Sequence, residues 1–187
     1  MRAMFKILSV VTLAGAGFTA AVVTAGNDAA ISIEVDRDSR KLTVLQDGVE
    51  LKTFDIAVGT ASYPTPAGQF QIQKIIWNPG WVPPNSGWSA DEDPKQPGDP
   101  ENPMQAVKIY FNPPDYFIHG TNNPASIGEA ASHGCIRMEV NDALWLARIL
   151  QDLSGTAQDD EWYAEVVGDP TETREVMLAT PVPIVIR

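Results

Sequence analysis

From Ile31 the chain alternates apolar and polar positions, with Ile31, Ile33 and Val35 separated by Ser32 and Glu34. Asp36-Arg37-Asp38-Ser39 reads as a turn, Leu42 and Val44 resume the alternation, and Asp47-Gly48 is a second turn leading into residues 49–58. Successive strand side chains point to opposite faces, so this period of two with tight turns predicts half-buried antiparallel strands. The domain is expected to open as a β-meander.

Pro64-Thr65-Pro66-Ala67-Gly68 interrupts the pattern, because proline offers a ladder no donor. Residues 69–76 alternate again and predict another strand leading to Trp77. Between Trp77 and Pro103 lie seven of the fifteen prolines and three of the five tryptophans, Trp77, Trp81 and Trp88, with neither period. A loop this long in a compact domain suits a flap over a binding site; the competing expectation is a tied-down loop whose Trp rings plug the core.

Residues 107–111 and 116–118 read as strands, which places His119 at a strand end. Asn141 is the expected cap of a helix in which Asp142 suits the N-terminal dipole and Leu146, Ile149, Leu150 and Leu153 keep helical spacing up to Gly155. The acidic residues 158–161 and a weak helical pattern over 162–167 are ambiguous, and Gly168-Asp169-Pro170 ends whatever precedes it. Val176, Leu178, Val182, Ile184 and Ile186 predict closing strands, the second near an edge because of Pro181 and Pro183. The fold class is mainly β with a few helices, a single sandwich- or barrel-type domain over residues 26–187 with one helix after the lone cysteine.

Residues 1–25 change the picture. Arg2 and Lys6 precede an uncharged run from Ile7 and a Val23-Thr24-Ala25 end suited to signal peptidase, so export with cleavage after Ala25 is expected. An uncleaved anchor is the alternative, since the run approaches the roughly 20 residues that span a bilayer. Either delivers the domain to the periplasm or cell wall. Cleavage removes Arg2 and Lys6 and takes the formal charge from −11 to −13. Phosphate-backbone binding needs clustered Lys and Arg, so no nucleic-acid partner is expected.

The scarce residues converge. Cys135 is the only cysteine, His119 and His133 are the only histidines, and all three fall within residues 119–138. A thiol attacks an acyl carbon as thiolate, and an imidazole can take its proton and return it to the leaving amine. His119, arriving on a separate element, is the preferred base; His133 is assigned a supporting or oxyanion-side role. Gly134 allows close backbone approach and lets the Cys135 amide face a developing oxyanion. Ser132 is expected to hydrogen-bond within that turn, and Arg137 to clamp a substrate carboxylate with its planar fork. Structural zinc usually takes four Cys or His ligands at repeated short spacings, so neither metal nor cofactor is expected.

Ile118-His119-Gly120-Thr121 together with Ser132-His133-Gly134-Cys135-Ile136-Arg137-Met138 resembles the signature of the L,D-transpeptidases, the YkuD domain. Val58-Gly59, Pro64-Thr65-Pro66-Ala67-Gly68, the proline-rich stretches at 78–84 and 97–103, and residues 182–187 extend the resemblance over residues 31–187. It implies acyl transfer from a peptidoglycan stem peptide, through a Cys135 thioester, to an amine acceptor. It further implies His119 as proton acceptor and donor, its ring oriented by the Gly120 carbonyl, with His133, Gly134 and Cys135 around the oxyanion. Met104-Gln105 stands where the family shows Leu-Gly and Glu139 follows Met138; neither departure is expected to touch the catalytic pair. The same thioester given to water would make an L,D-carboxypeptidase. A non-enzymatic wall-binding domain would have no reason to gather the sole thiol with both imidazoles.

Overall fold

The computed structural model of the protein describes residues 30–187, so the expected signal segment lies outside the described residues. Strands β1 (Ile31–Asp36), β2 (Lys41–Gln46) and β3 (Val49–Asp55) form the expected antiparallel meander. The short strand β4 (Val58–Gly59) pairs in parallel with β8 (Ala130–Ser132) as a separate two-stranded piece. The remaining strands are β5 (Gly68–Trp77), β6 (Gln105–Asn112), β7 (Tyr116–Gly120), β9 (Ile136–Met138) and β10 (Arg174–Ile186). Together with the meander they make an eight-stranded sheet in the order β3-β2-β1-β10-β5-β6-β7-β9.

The outer strands β3 and β9 curl toward each other. Ala57, two residues past β3, and Arg137 of β9 exchange both backbone hydrogen bonds at 2.9 Å. The sheet is thereby nearly closed into a barrel, which removes most of the unpaired edge that an open sheet exposes. Its core is filled by alternate residues such as Ile33, Leu42, Ile72, Ile109, Ile118 and Ile136.

Two expectations need correction. The closing segment is one thirteen-residue strand, not two, and β10 lies inside the sheet between β1 and β5. Its prolines are tolerated there because the ladder with β5 shifts between Met177 and Val182, where Pro181 sits, and the parallel ladder with β1 begins only at Ile184, after Pro183. Cys135 is followed by strand β9 and then by the expected helix. That helix, α1 (Val140–Leu153), has Glu139 rather than Asn141 at its cap position, with no side-chain cap bond: β9 runs to Met138 and the chain turns helical at once.

Helix α1 buries Ala143, Leu146, Ala147 and Leu150 and packs on β6 and β7. The ambiguous acidic segment opens a second helix, α2 (Asp160–Gly168), whose start is fixed by Asp159 accepting from the Trp162 amide at 2.8 Å. Trp77 belongs to β5 and to the core, its indole N–H donating to Gln151 Oε1 at 3.1 Å. Asn78 then starts the long loop in a left-handed conformation (φ 48°), and its Nδ2 donates to the carbonyls of Val166, Asp169 and Glu172 at 2.6, 3.0 and 3.2 Å. The loop's base is thus tied to the end of α2. Among the described residues no helix is long and apolar enough to cross a membrane.

Candidate active site

The parallel pairing of β7 with β9 sets the site. Ile118 lies opposite Ile136 and His119 opposite Arg137. Because strand side chains alternate, Ile118 and Ile136 enter the core together, while Phe117, His119, Cys135 and Arg137 share the other face. The register places Cys135, the residue just before β9, diagonal to His119 on that face. On the far side of His119, Lys108 of β6 is its direct cross-strand partner. That face thus carries one thiol, one imidazole and two cations.

Burial dominates the electrostatics of the pair. His119 is 2 % exposed, and burial pushes its pKa down to about 4, with Arg137 and Lys108 adding to the fall and hydrogen bonding to the Gly120 and Pro103 carbonyls opposing it. His119 Nδ1 lies 2.8 Å from the Gly120 carbonyl oxygen. A carbonyl only accepts, so Nδ1 carries the ring proton and Nε2 is the basic atom. Burial likewise pushes the Cys135 thiol up to about 11, opposed by an amide hydrogen bond from Phe117 and by Lys108 and Arg137. The resting pair is neutral thiol and neutral imidazole, an arrangement suited to removing the thiol proton as attack proceeds. Lys108 and Arg137, both themselves held below their ordinary pKa by burial, place positive charge where a thiolate or oxyanion would develop.

The turn before Cys135 is held by Ser132. Its Oγ donates to the Cys135 carbonyl at 2.5 Å and accepts from the Gly134 amide at 3.0 Å. Gly134 has φ 111°, and a Cβ there would stand 2.7 Å from the Tyr116 ring, so both conformation and space require glycine. The Gly134 N–H is occupied by Ser132 and is not free for a ligand. Cys135 Sγ lies 3.5 Å from the Asp115 carbonyl.

His133 packs into a set of rings. Trp88, from the long loop, stacks on it at 3.9 Å between centroids, and Tyr63 meets it edge-on at 4.9 Å. Partial burial lowers its pKa, with a further push from Arg137. The three loop tryptophans therefore divide: Trp77 plugs the core, Trp81 forms a small cluster with Met104 and Phe117 against which Cys135 packs, and Trp88 covers His133. The loop is a flap in part. Met104-Gln105 lies nearer the pair than expected, since Gln105 pairs with Gly120, next to His119. Lys108, Tyr110, Tyr63 and Tyr116 carry no motif and enter the site only through cross-strand pairing or loop packing. Among the described residues no group of three or more His, Cys, Asp and Glu is gathered as a metal would need.

The model of the YkuD L,D-transpeptidase catalytic domain matches residues 30–184, nearly the whole described chain. The chain belongs to this family. It is 36 % identical over 118 residues to "Putative L,D-transpeptidase YkuD" of Bacillus subtilis, which covers 63 % of this chain and 59 % of that protein. It is 30 % identical over 117 residues to "Putative L,D-transpeptidase YqjB" of the same organism, 60 % of this chain and 61 % of that one. The chain thus spans under two thirds of the length of these relatives. Among solved structures it resembles an L,D-transpeptidase from Mycobacterium smegmatis (TM-score 0.53, 20 % identity, 85 % of this chain and 59 % of that one). It also resembles L,D-transpeptidase 3 of Mycobacterium tuberculosis (TM-score 0.52, 17 % identity, 85 % and 61 %). At these identities the structural likeness establishes the shared YkuD fold.

Proposed function

We propose that the protein is an exported L,D-transpeptidase that transfers a peptidoglycan stem-peptide acyl group through a Cys135 thioester to an amine acceptor. The observation that carries this reading is the parallel β7–β9 register, which places Cys135 at the start of β9 on the same face as His119, with His119 Nδ1 engaged by Gly120 and Nε2 left basic. In the first step Nε2 takes the thiol proton as sulfur attacks the donor carbonyl. The protonated ring then gives that proton to the departing amine of the terminal D-residue, leaving the thioester. In the second step Nε2 deprotonates the acceptor amine, which attacks the thioester and regenerates the thiol.

Ser132 holds the turn that presents Cys135, Gly134 lets Tyr116 pack closely against it, and Lys108 and Arg137 balance the oxyanion's charge. His133 works through the flap, as the platform under Trp88. Export rests on the character of residues 1–25, with the cell wall as the place of action. Incubating the protein with a tetrapeptide donor and an amine, and weighing both intact protein and products, tests the reading. A mass adduct on wild type that Cys135→Ala lacks, followed by an amide product, is expected. Free tripeptide without cross-linked product would reassign the protein as an L,D-carboxypeptidase.

A further inference from the structure

Behind the loop that carries Tyr63 lies a cavity of about 370 Å³. Arg37 and Arg40 of the β1–β2 turn line it from one side, Thr60, Pro64 and Thr65 from the other, and exposed Asp38 also contributes. The turn is built to hold the two arginines there. Asp36 Oδ1 accepts from the amides of Asp38 and Ser39 at 2.9 and 3.0 Å, and Arg40 adopts φ 55°, an uncommon conformation for a residue with a Cβ. Arg37 Nη1 donates to the Thr65 carbonyl at 2.9 Å, which fastens its guanidinium to the loop.

Both Nε–H groups are buried, and neither has an acceptor among the described residues. Neither arginine is in any of the nine ion pairs there, from Lys41–Asp55 to Arg187–Glu34, although the chain carries 24 acidic residues against 13 basic. A guanidinium is always charged, and its planar fork takes a carboxylate with two parallel bonds. In so acidic a chain, two arginines that line one cavity and join no ion pair among the described residues have the form of an anion site.

We propose that the Arg37–Arg40 cavity binds a carboxylate of the peptide on which the Cys135 site acts, an inference that rests on the transpeptidase reading above. Two observations select the ligand. Asp38 in the same lining disfavours a phosphate dianion relative to a singly charged carboxylate. The loop itself joins the two sites: its Thr60 amide donates to the Ser132 carbonyl at 3.0 Å and its Tyr63 ring meets His133, while Pro64 and Thr65 wall the cavity. A peptide lying across this loop is held by its carboxylate on one side while its acyl group faces Cys135 on the other.

The test uses the full chain. Binding of the tetrapeptide donor, of its carboxylate-amidated form and of inorganic phosphate is measured by calorimetry on Cys135→Ala, with and without Arg37→Gln and Arg40→Gln. Acylation by a small carbapenem is timed in the chain that retains Cys135. The arginine changes should weaken tetrapeptide binding by roughly tenfold or more, the worth of one charge-assisted hydrogen bond. Amidation should cause the same loss and add nothing to the arginine variants, while carbapenem acylation keeps its rate. Unchanged tetrapeptide affinity overturns the proposal, as does an equal slowing of acylation, which would mean a distorted loop. Phosphate competing as well as the peptide overturns the carboxylate assignment. Should the double variant misfold, Arg37→Gln alone and Arg37→Lys, which keeps charge but not the fork, give the same comparison, with both expected to weaken binding. Arginine-dependent binding without any thioester in wild type would remove the transpeptidase reading and leave this site standing; a thioester with arginine-independent affinity would do the reverse.

Discussion

The indole of Trp88 lies flat on the imidazole of His133, the centroids 3.9 Å apart and the planes within 6° of parallel. One residue belongs to the long proline-rich loop and the other to the turn that presents Cys135, so the stack pins the flap directly over the reactive segment. Trp88 is 38 % exposed and adds little to the core. Trp88→Ala is expected to cost on the order of 0.5–1.5 kcal/mol in stability, the worth of a stacked aromatic pair. It should uncover His133, whose pKa then rises toward the ordinary imidazole value. A ring-proton NMR titration measures this, and an unmoved titration would show that the stack is not what desolvates the ring.

The neutral Cys135–His119 pair makes a pH prediction. Below about 4 the imidazole is protonated and cannot accept the thiol proton; between about 4 and 11 both groups are neutral. The rate of covalent trapping by a carbapenem should rise as pH climbs through about 4 and then stay level across the neutral range. A rising limb near pH 7 would instead indicate an ordinary, solvated histidine. His119→Ala should slow trapping by about 10²- to 10⁴-fold, the usual worth of a positioned base, and Cys135→Ala should abolish it.

The same burial couples to stability. The unfolded chain protonates His119 at about 6.5 and the folded chain only at about 4. Between these values the unfolded state binds the extra proton, so stability falls as pH drops through that window, by on the order of 3 kcal/mol for this residue. Unfolding midpoints at pH 7 and pH 4 should show the loss, and His119→Gln should remove most of it.

Gly134→Ala must put a Cβ against the Tyr116 ring and hold φ 111°. A cost of about 1–3 kcal/mol in stability is expected. A greater proportional loss of carbapenem acylation should accompany it, because the displaced segment carries Cys135. Denaturant unfolding and timed mass spectrometry separate the two effects.

Asn78→Ala removes the amide that binds three carbonyls around the end of α2. Leaving those carbonyls without a donor should cost about 2–3 kcal/mol, and roughly 5–10 °C in thermal midpoint for a domain of this size. A smaller shift would mean that water replaces the side chain there.

Much of the fold is local enough to be legible in the residues. The meander is two tight turns between period-two runs, and α1 is a run of leucine and isoleucine at helical spacing. Strands β8 and β9 have three residues each, too few for a period to register, and they exist because distant strands supply partners. The continuity of β10 through Pro181 depends on a shift in a ladder with β5 that only the assembled sheet defines. Scarcity marked Cys135 and both histidines. Lys108 looked like any polar residue of an alternating strand, and its place beside His119 follows from the β6–β7 register.

The position of β10 has a temporal side. Ile33 pairs with Ile184, so the sheet places strands from opposite ends of the described chain side by side. Within the sheet, β10 is the strand that joins the meander to β5 and the half that bears Cys135. Such distant pairing is slow to form, because a long stretch of chain must be ordered before any contact rewards it. A chain released from its N-terminal end, by a ribosome or through a translocation pore, holds all its reactive groups well before it can complete the sheet. Its topology leaves the sheet open until β10 is free to enter between β1 and β5.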